Sequence, residues 1–545
     1  MRLKQVSATT IIVGLMAASL PLSYFLFSTS IFLLFLYWLF ENNVQSKNSL
    51  SSPINISHSL KFIHNLQGKL ILFIHNRIAI TITSIYFLYL VGSFWSTNIH
   101  YIAQELRIKL PFLLLPLLLS GLKPFNRKDF HYILLIYCMA VLASSLVSFF
   151  IFLTHPINDS RELSPFMSHI RLSLNVCMAL VILYFFLSKE KTPSVTTRIF
   201  LFILAFWFII FLFILKSITG IVLLILLFFA LIDNLAWHSR YREIKIASRL
   251  FMFSLPLLLV YYALWFNKNY LNIAPVKIHT LEQLTANGNP YWHDTTQFGI
   301  ECGRYVGLYI CEEELKAAWE KRSKRRYTSI DKNGNELRAT LIRYLNTKNF
   351  RKDAVGLAQL SQEDIRNIEN GVANEGLIKP FNLTSRFDNF FMRLHEYQRT
   401  GNANGMSELQ RIEYYRATYY IIKHHWIMGV GTGDVEDAFS DAYQHLNSKL
   451  SNKYRGSSHN QFLYMGVAFG ISGILLFIVW LLSLLFYKHA YHDFLFASFF
   501  FIMTVSMLTE DTIRNQAGVN FCAFFMGLLL IAQPIKTKLQ KYREY

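Results

Sequence analysis

Residues 457–473 read SSHNQFLYMGVAFGISG. A His-Asn pair stands at the mouth of an apolar run that carries three glycines, Gly466, Gly470 and Gly473. The run continues to Phe486, enough residues to enter and cross a hydrocarbon layer roughly 30 Å thick. At about 100° per residue the glycines fall within roughly 40° of His459, so a helix here carries a polar head and a smooth stem on one face. Small residues let membrane helices approach closely, so these three are expected to pack beneath the histidine.

Runs of this kind recur along the 545 residues, of which 53% are hydrophobic, 16% are charged and 48 are Phe. The expectation is an all-α polytopic membrane protein, with spans at 8–22, 25–41, 74–95, 108–122, 131–154, 168–187, 198–215, 218–233, 249–267, 458–486, 494–509 and 516–534. The apolar start continues past Pro21 to Phe40, which favours an uncleaved hairpin over a signal peptide or one long tilted helix. A formal charge of +19 would suggest nucleic acid in a soluble protein, but here it sorts by loop. The short basic segments, among them MRLK, SKEKTPSVTTR, FYKHAYHDF and KTKLQKYREY, fall on one side. That alternation predicts both termini in the cytoplasm and argues against a nucleic-acid partner.

One connection is far longer. The expected division is a membrane region at 1–267, a loop domain at 268–457 and a second membrane region at 458–545. By parity the loop domain lies outside, and it reads as helical stretches separated by the turns TANGNPYW, DKNGNE and RTGNANG. Its Cys302 and Cys311 either pair in an oxidising periplasm or stay free, while the other three cysteines lie in apolar spans as packing residues.

The candidate chemistry gathers on the outer side: His459-Asn460, Arg411 and Arg416 in ELQRIEYYRATYYIIKHHW, Arg171 in SHIRLSLN, and Arg107 and Lys109 in QELRIKLPF. A cation in a bilayer costs at least about 2.5–3.5 kcal/mol, so an intramembrane arginine needs a partner or a function. Arg107 and Lys109 either snorkel to headgroups or bind an anion. Arg411 and Arg416 point about 140° apart on a helix, so one of them is expected to face water. The sequence GVGTGD lacks the Gly-Lys-Ser/Thr of a phosphate loop and reads as a helix-ending turn. No HExxH or CxxC spacing suggests a metal, and no cofactor is indicated. Glu510-Asp511, in the last outer loop, reads as a solvated turn and only secondarily as a general base.

The pattern His-Asn, then Gly-x-x-Gly in HNQFLYMGVAFGISG, preceded by the Arg-containing helix and GVGTGD, resembles bacterial O-antigen ligases and the related O-antigen polymerases. Where relatives often carry Ser-Arg-Gly in a middle span, this chain reads KSITG at 216–220. The resemblance implies a GT-C-like architecture of about twelve helices in the bacterial inner membrane, with a large periplasmic loop before the last three. It further implies transfer of a glycan from undecaprenyl diphosphate to a hydroxyl of lipid A–core at the periplasmic face, without a metal. His459 would be the general base, Asn460 would orient it or the hydroxyl, and Arg411, Arg171, Arg416, Arg107 and Lys109 would be candidates for the diphosphate. O-antigen polymerase and protein O-glycosylating ligase are the alternatives, and a polysaccharide flippase is the non-enzyme reading.

Overall fold

The structure is a computed structural model that describes residues 7–41, 58–155, 160–189, 194–237, 241–271, 275–296, 298–378 and 383–534. The basic tails MRLK and KTKLQKYREY lie outside the described residues. Two compact units emerge: 1–231 with 411–545, and 232–410.

The first unit begins with α1 (Ala8–Ser19) and α2 (Tyr24–Phe40). The chain turns at 20–23, where Ser23 caps α2 by accepting the Leu26 N–H, so the terminal hairpin is formed rather than one long helix. Amphipathic α3 (His58–His75) stops at Asn76, whose side chain caps α4 (Arg77–Gly92); the span expected from residue 74 therefore starts at Arg77. The fourth expected span is a broken pair, α5 (Ile99–Lys109) and α6 (Pro111–Ser120). Pro111 has no N–H to continue the ladder, although Leu110 keeps helical angles. Four long apolar helices follow: α7 (Arg127–Thr154), α8 (His169–Lys189), α9 (Val195–Ile214) and α10 (Ile218–Trp237).

The second unit takes in the last residues of α10 from Ile232, then α11 (Arg242–Leu271), and continues as a small helical fold. A two-residue hairpin pairs β1 (Ile300–Glu301) with β2 (Arg304–Tyr305) through Cys302 and Gly303, both at positive φ. Around it stand α12 (Glu312–Arg322), α13 (Leu337–Thr347), α14 (Ala354–Ala358), α15 (Gln362–Glu369) and α16 (Leu383–Thr400). Trp319, Leu341, Leu345, Ile365 and Ile368 form the core. Beside it, Arg343 grips the fully buried Glu301 with two nitrogens at 2.9 and 3.0 Å. The expected turns form, with Gly288, Gly334, Gly401 and Gly405 at positive φ.

The chain returns to the first unit through α17 (Ser407–His424), α18 (Val435–His445), α19 (Gln461–Phe486), α20 (Phe494–Thr509) and α21 (Gln516–Met526). By compactness the second unit ends at Gln410, so the 411–457 stretch goes with the first. The reason is visible in backbone pairing: Thr432 donates its N–H to Gly92 O and its hydroxyl to Tyr89 O, which stitches the 411–457 stretch to α4.

Helices lie within the expected spans, the fourth as the broken pair α5–α6, and among the described residues five helices have the length and apolarity to cross a membrane: Arg77–Trp95, Arg127–Thr154, His169–Ser188, Val195–Ile214 and Gln461–His492. The described residues thus form a mainly helical chain of membrane character, with one small hairpin.

Candidate functional site

The site is built at the point where α19 begins. Asn460 takes an extended conformation as its N-cap, its Oδ1 accepting the Leu463 N–H at 3.1 Å while its Nδ2 donates to Leu508 O at 2.9 Å. His459 therefore lies outside the helix, at φ 44°, a left-handed conformation that few non-glycine residues adopt. This corrects the single-face picture of 459–473, because a helical wheel cannot be extended across that turn. Asn460 spends its Oδ1 on the first turn of α19 and its Nδ2 on the Leu508 carbonyl near the end of α20.

The imidazole stacks on the Tyr414 ring of α17, with centroids 5.0 Å apart and planes at 14°. Its Nδ1 lies 3.1 Å from Glu510 Oε2, and the other oxygen of that carboxylate accepts from Arg411 Nη2 at 3.3 Å. One buried carboxylate therefore joins the histidine to the arginine. The backbone of Gly456 passes beside Nε2, and a Cβ built there would come within 3.3 Å of it.

The neighbouring carboxylate draws in further cations. Asp511 accepts from Ser457 Oγ and from Arg514 Nη1 at 3.3 Å, and Arg514 also pairs with Glu436. Arg171, reaching in from α8, donates through Nη2 to the Asp511 carbonyl at 3.4 Å. Burial pushes the Asp511 carboxyl up, but Arg514, His459, Ser457 and Arg171 outweigh it and hold it below the usual carboxylate range. Arg171 is itself buried, and its Nη1 has no hydrogen-bond partner among the described residues. A buried guanidinium nitrogen left unpaired is costly unless something else satisfies it.

His459, Glu510 and Asp511 each offer one ligand atom within 4.8 Å of the others, a spacing that a divalent ion also uses. Arg411 and Arg514 also donate to these two carboxylates, at 3.3 Å each.

The expected solvated turn at Glu510-Asp511 is overturned, since both residues are only 6% exposed. A turn so short between two apolar helices cannot keep two carboxylates in water once α17 and α19 pack over it. Three charges in EDTIRN between apolar helices were the available signal.

Other candidates go elsewhere. Arg416 is half exposed and pairs with Glu413 at 2.6 Å, so it is the arginine that faces outward. Arg107 is exposed. Lys109 does not snorkel: it is fully buried, 2.5 Å from Glu105 and 4.6 Å above the Tyr89 ring. Cys302 and Cys311 are both free. Cys302 is held at the hairpin tip by Asp388, which accepts its N–H at 2.7 and 2.8 Å, and Cys311 is the N-cap residue of α12.

Among the three stem glycines, Gly470 breaks α19, at φ 68° and ψ −163°. The break frees the Val467 and Ala468 carbonyls, which accept the N–H groups of Val430 and Gly431 at 2.9 and 2.8 Å, while Ile471 N–H donates to Trp426 O. The GVGTGD turn ends α17 as expected, with Gly429 and Gly431 at positive φ, and it docks into that break. Gly466 and Gly473 are close-packing positions, their missing Cβ atoms facing Ile422 and Phe469 respectively.

No curated protein matches the chain. Residues 366–478 match the family model described as O-antigen ligase. The match takes in Arg411, Tyr414, His459 and Asn460 and the broken start of α19, and it stops short of Arg171, Glu510 and Asp511. It supports a glycan-transferring function of the ligase or polymerase type for a membrane protein. Across residues 366–478, the chain is thus similar to the O-antigen ligase family.

Proposed function

We propose that the protein is an O-antigen ligase-like glycosyltransferase. It would move a glycan from undecaprenyl diphosphate to a hydroxyl of lipid A–core at the periplasmic face of the inner membrane. The single observation that carries this reading is the convergence of His459 and Arg411 on Glu510, with Arg171 beside them at Asp511.

The chemistry follows from the atoms. With Nδ1–H donating to Glu510, Nε2 of His459 is the free base, on the side where residue 456 has no side chain. Nε2 takes the proton of the acceptor hydroxyl as its oxygen attacks the anomeric carbon. The bond from that carbon to the diphosphate oxygen breaks, and the diphosphate leaves with the electron pair. Glu510 stabilises the imidazolium that forms, as a buried carboxylate does in other histidine-base sites. The leaving group gains negative charge, which Arg411 and the unpaired Nη1 of Arg171 are suited to hold. Guanidinium groups fill the role that a divalent ion takes in other transferases, so chelation by EDTA should leave transfer unchanged.

The test is complementation of a deletion strain with wild type or His459→Ala, read by lipopolysaccharide gel and by membrane insertion. Loss of all capped chains with His459→Ala, restored by wild type, is the expected result. A single-repeat cap would assign a polymerase, and unaltered lipopolysaccharide would move the acceptor to a protein. An inserted His459→Ala protein that transfers at the wild-type rate would overturn the base assignment.

A further inference from the structure

A cavity of about 750 Å³ lies at the ends of α4 and α19 remote from His459. Its polar wall is made by His75, Asn76 and Arg77, where α3 gives way to α4, and by Tyr487 and Lys488 just past α19. Its apolar wall is Ile78 with Leu530 and Ile531, from the wide π-turn that follows α21. The volume falls within the range of small-molecule sites, about 300–1,000 Å³. Arg77 has no part in the site at His459, and a cation there asks for its own explanation.

Three features turn positive potential into this space. The N-terminus of α4, a helix of 16 residues, opens on it with the positive end of its dipole. Arg77 and Lys488 are exposed, and neither pairs with a carboxylate among the described residues. Lys488 and His489 both hold left-handed conformations, at φ 44° and 58°, which turns the chain sharply after Phe486 and sets the Lys488 ammonium 5.2 Å over the Tyr487 ring. The described wall contains no acidic residue.

The geometry points to a binding site for a phosphate-bearing anionic group, supplied by the headgroup of an anionic membrane lipid. The phosphate sits between Arg77, Lys488 and the α4 N-terminus, and the acyl chains leave over Leu530 and Ile531. Basic pockets between membrane helices bind anionic headgroups in this way, and under the orientation proposed above this one opens to the cytoplasmic leaflet. The site does not depend on the glycan-transfer reading.

Native mass spectrometry of the full-length detergent-purified protein, titrated with phosphatidylglycerol and with phosphatidylcholine, tests it. Wild type should retain phosphatidylglycerol preferentially. Arg77→Gln and Lys488→Gln should each weaken that retention about fivefold, with phosphatidylcholine unaffected. Should the Arg77 variant fold poorly, Lys488→Gln alone carries the test, since Lys488 lies outside α19, and an unchanged thermal unfolding midpoint reports its fold. Displacement of the lipid by inorganic phosphate, but not by chloride at equal ionic strength, would uphold phosphate recognition and name a soluble phosphate as the source. Equal retention by wild type and variants, or no preference of wild type for phosphatidylglycerol, would overturn the proposal.

Discussion

His459, Glu510 and Arg411 form a linked row in which each contact limits what the next can do. Glu510 accepts from both partners, so Glu510→Gln should leave the fold intact while disturbing the imidazole tautomer and the placement of Arg411. A fall in kcat of about 10²–10⁴-fold, with a smaller change in KM, is expected from steady-state glycan transfer, by analogy with removal of the carboxylate behind other histidine bases. Arg411→Lys keeps the charge but loses the planar fork. Its expected signature is weaker donor binding, read as a higher KM for the lipid-linked donor, and unchanged donor affinity would count against the diphosphate role. His459 and Arg411 were both legible in the sequence because each sits in a recognisable local pattern. Glu510 was only partly legible: the three charges of EDTIRN mark the loop, but not that other helices close over it.

At the scale of single elements, α19 tests whether the glycines have one role or several. Gly470 occupies a backbone region nearly closed to other residues, and a Cβ there would meet Ile427 O at 2.3 Å. Gly470→Ala should therefore destabilise the protein by about 2–3 kcal/mol or more, through strain and loss of the docked 426–431 turn. Gly466→Ala meets only the flexible ends of Ile422 and Ile474, at 2.9 Å, and should cost less than about 1 kcal/mol. Thermal unfolding of both variants in the same detergent separates the two cases, and equal losses would return Gly470 to simple packing.

Helix α15 offers a pH test. Burial raises the Asp364 carboxyl, but hydrogen bonds from Tyr344, Lys348 and Ser361 prevail and lower it to about 2 from 3.8. For an acid held below its unfolded value, the stabilisation is complete above about pH 4 and fades as pH falls towards 2. The α15 amides should accordingly lose protection from hydrogen exchange over that window in the full-length protein, by about 2 kcal/mol in all. Protection unchanged between pH 4 and 2 would contradict the assignment.

For the whole molecule, orientation is the open measurement. A membrane-impermeant maleimide should label Lys453→Cys from the periplasm and Lys488→Cys only after the inner membrane is opened. Labelling of both from one side would refute the proposed topology. The placement of the expected spans on helices was readable from composition, since long apolar runs and their Gly, Pro and Asn boundaries act over a few residues. The same local logic located the turns of 232–410, where Gly288, Gly334, Gly401 and Gly405 take positive φ. What the sequence by itself determined is thus the membrane character, the helices and the His-Asn and Arg motifs, all consequences of short-range patterning. Only the tertiary structure decided which charges meet. Glu510 lies 51 residues from His459 and the Asp511 carbonyl lies 340 residues from Arg171. No period in the chain encodes such pairs, because they arise where separate helices pack and a buried charge must find its partner.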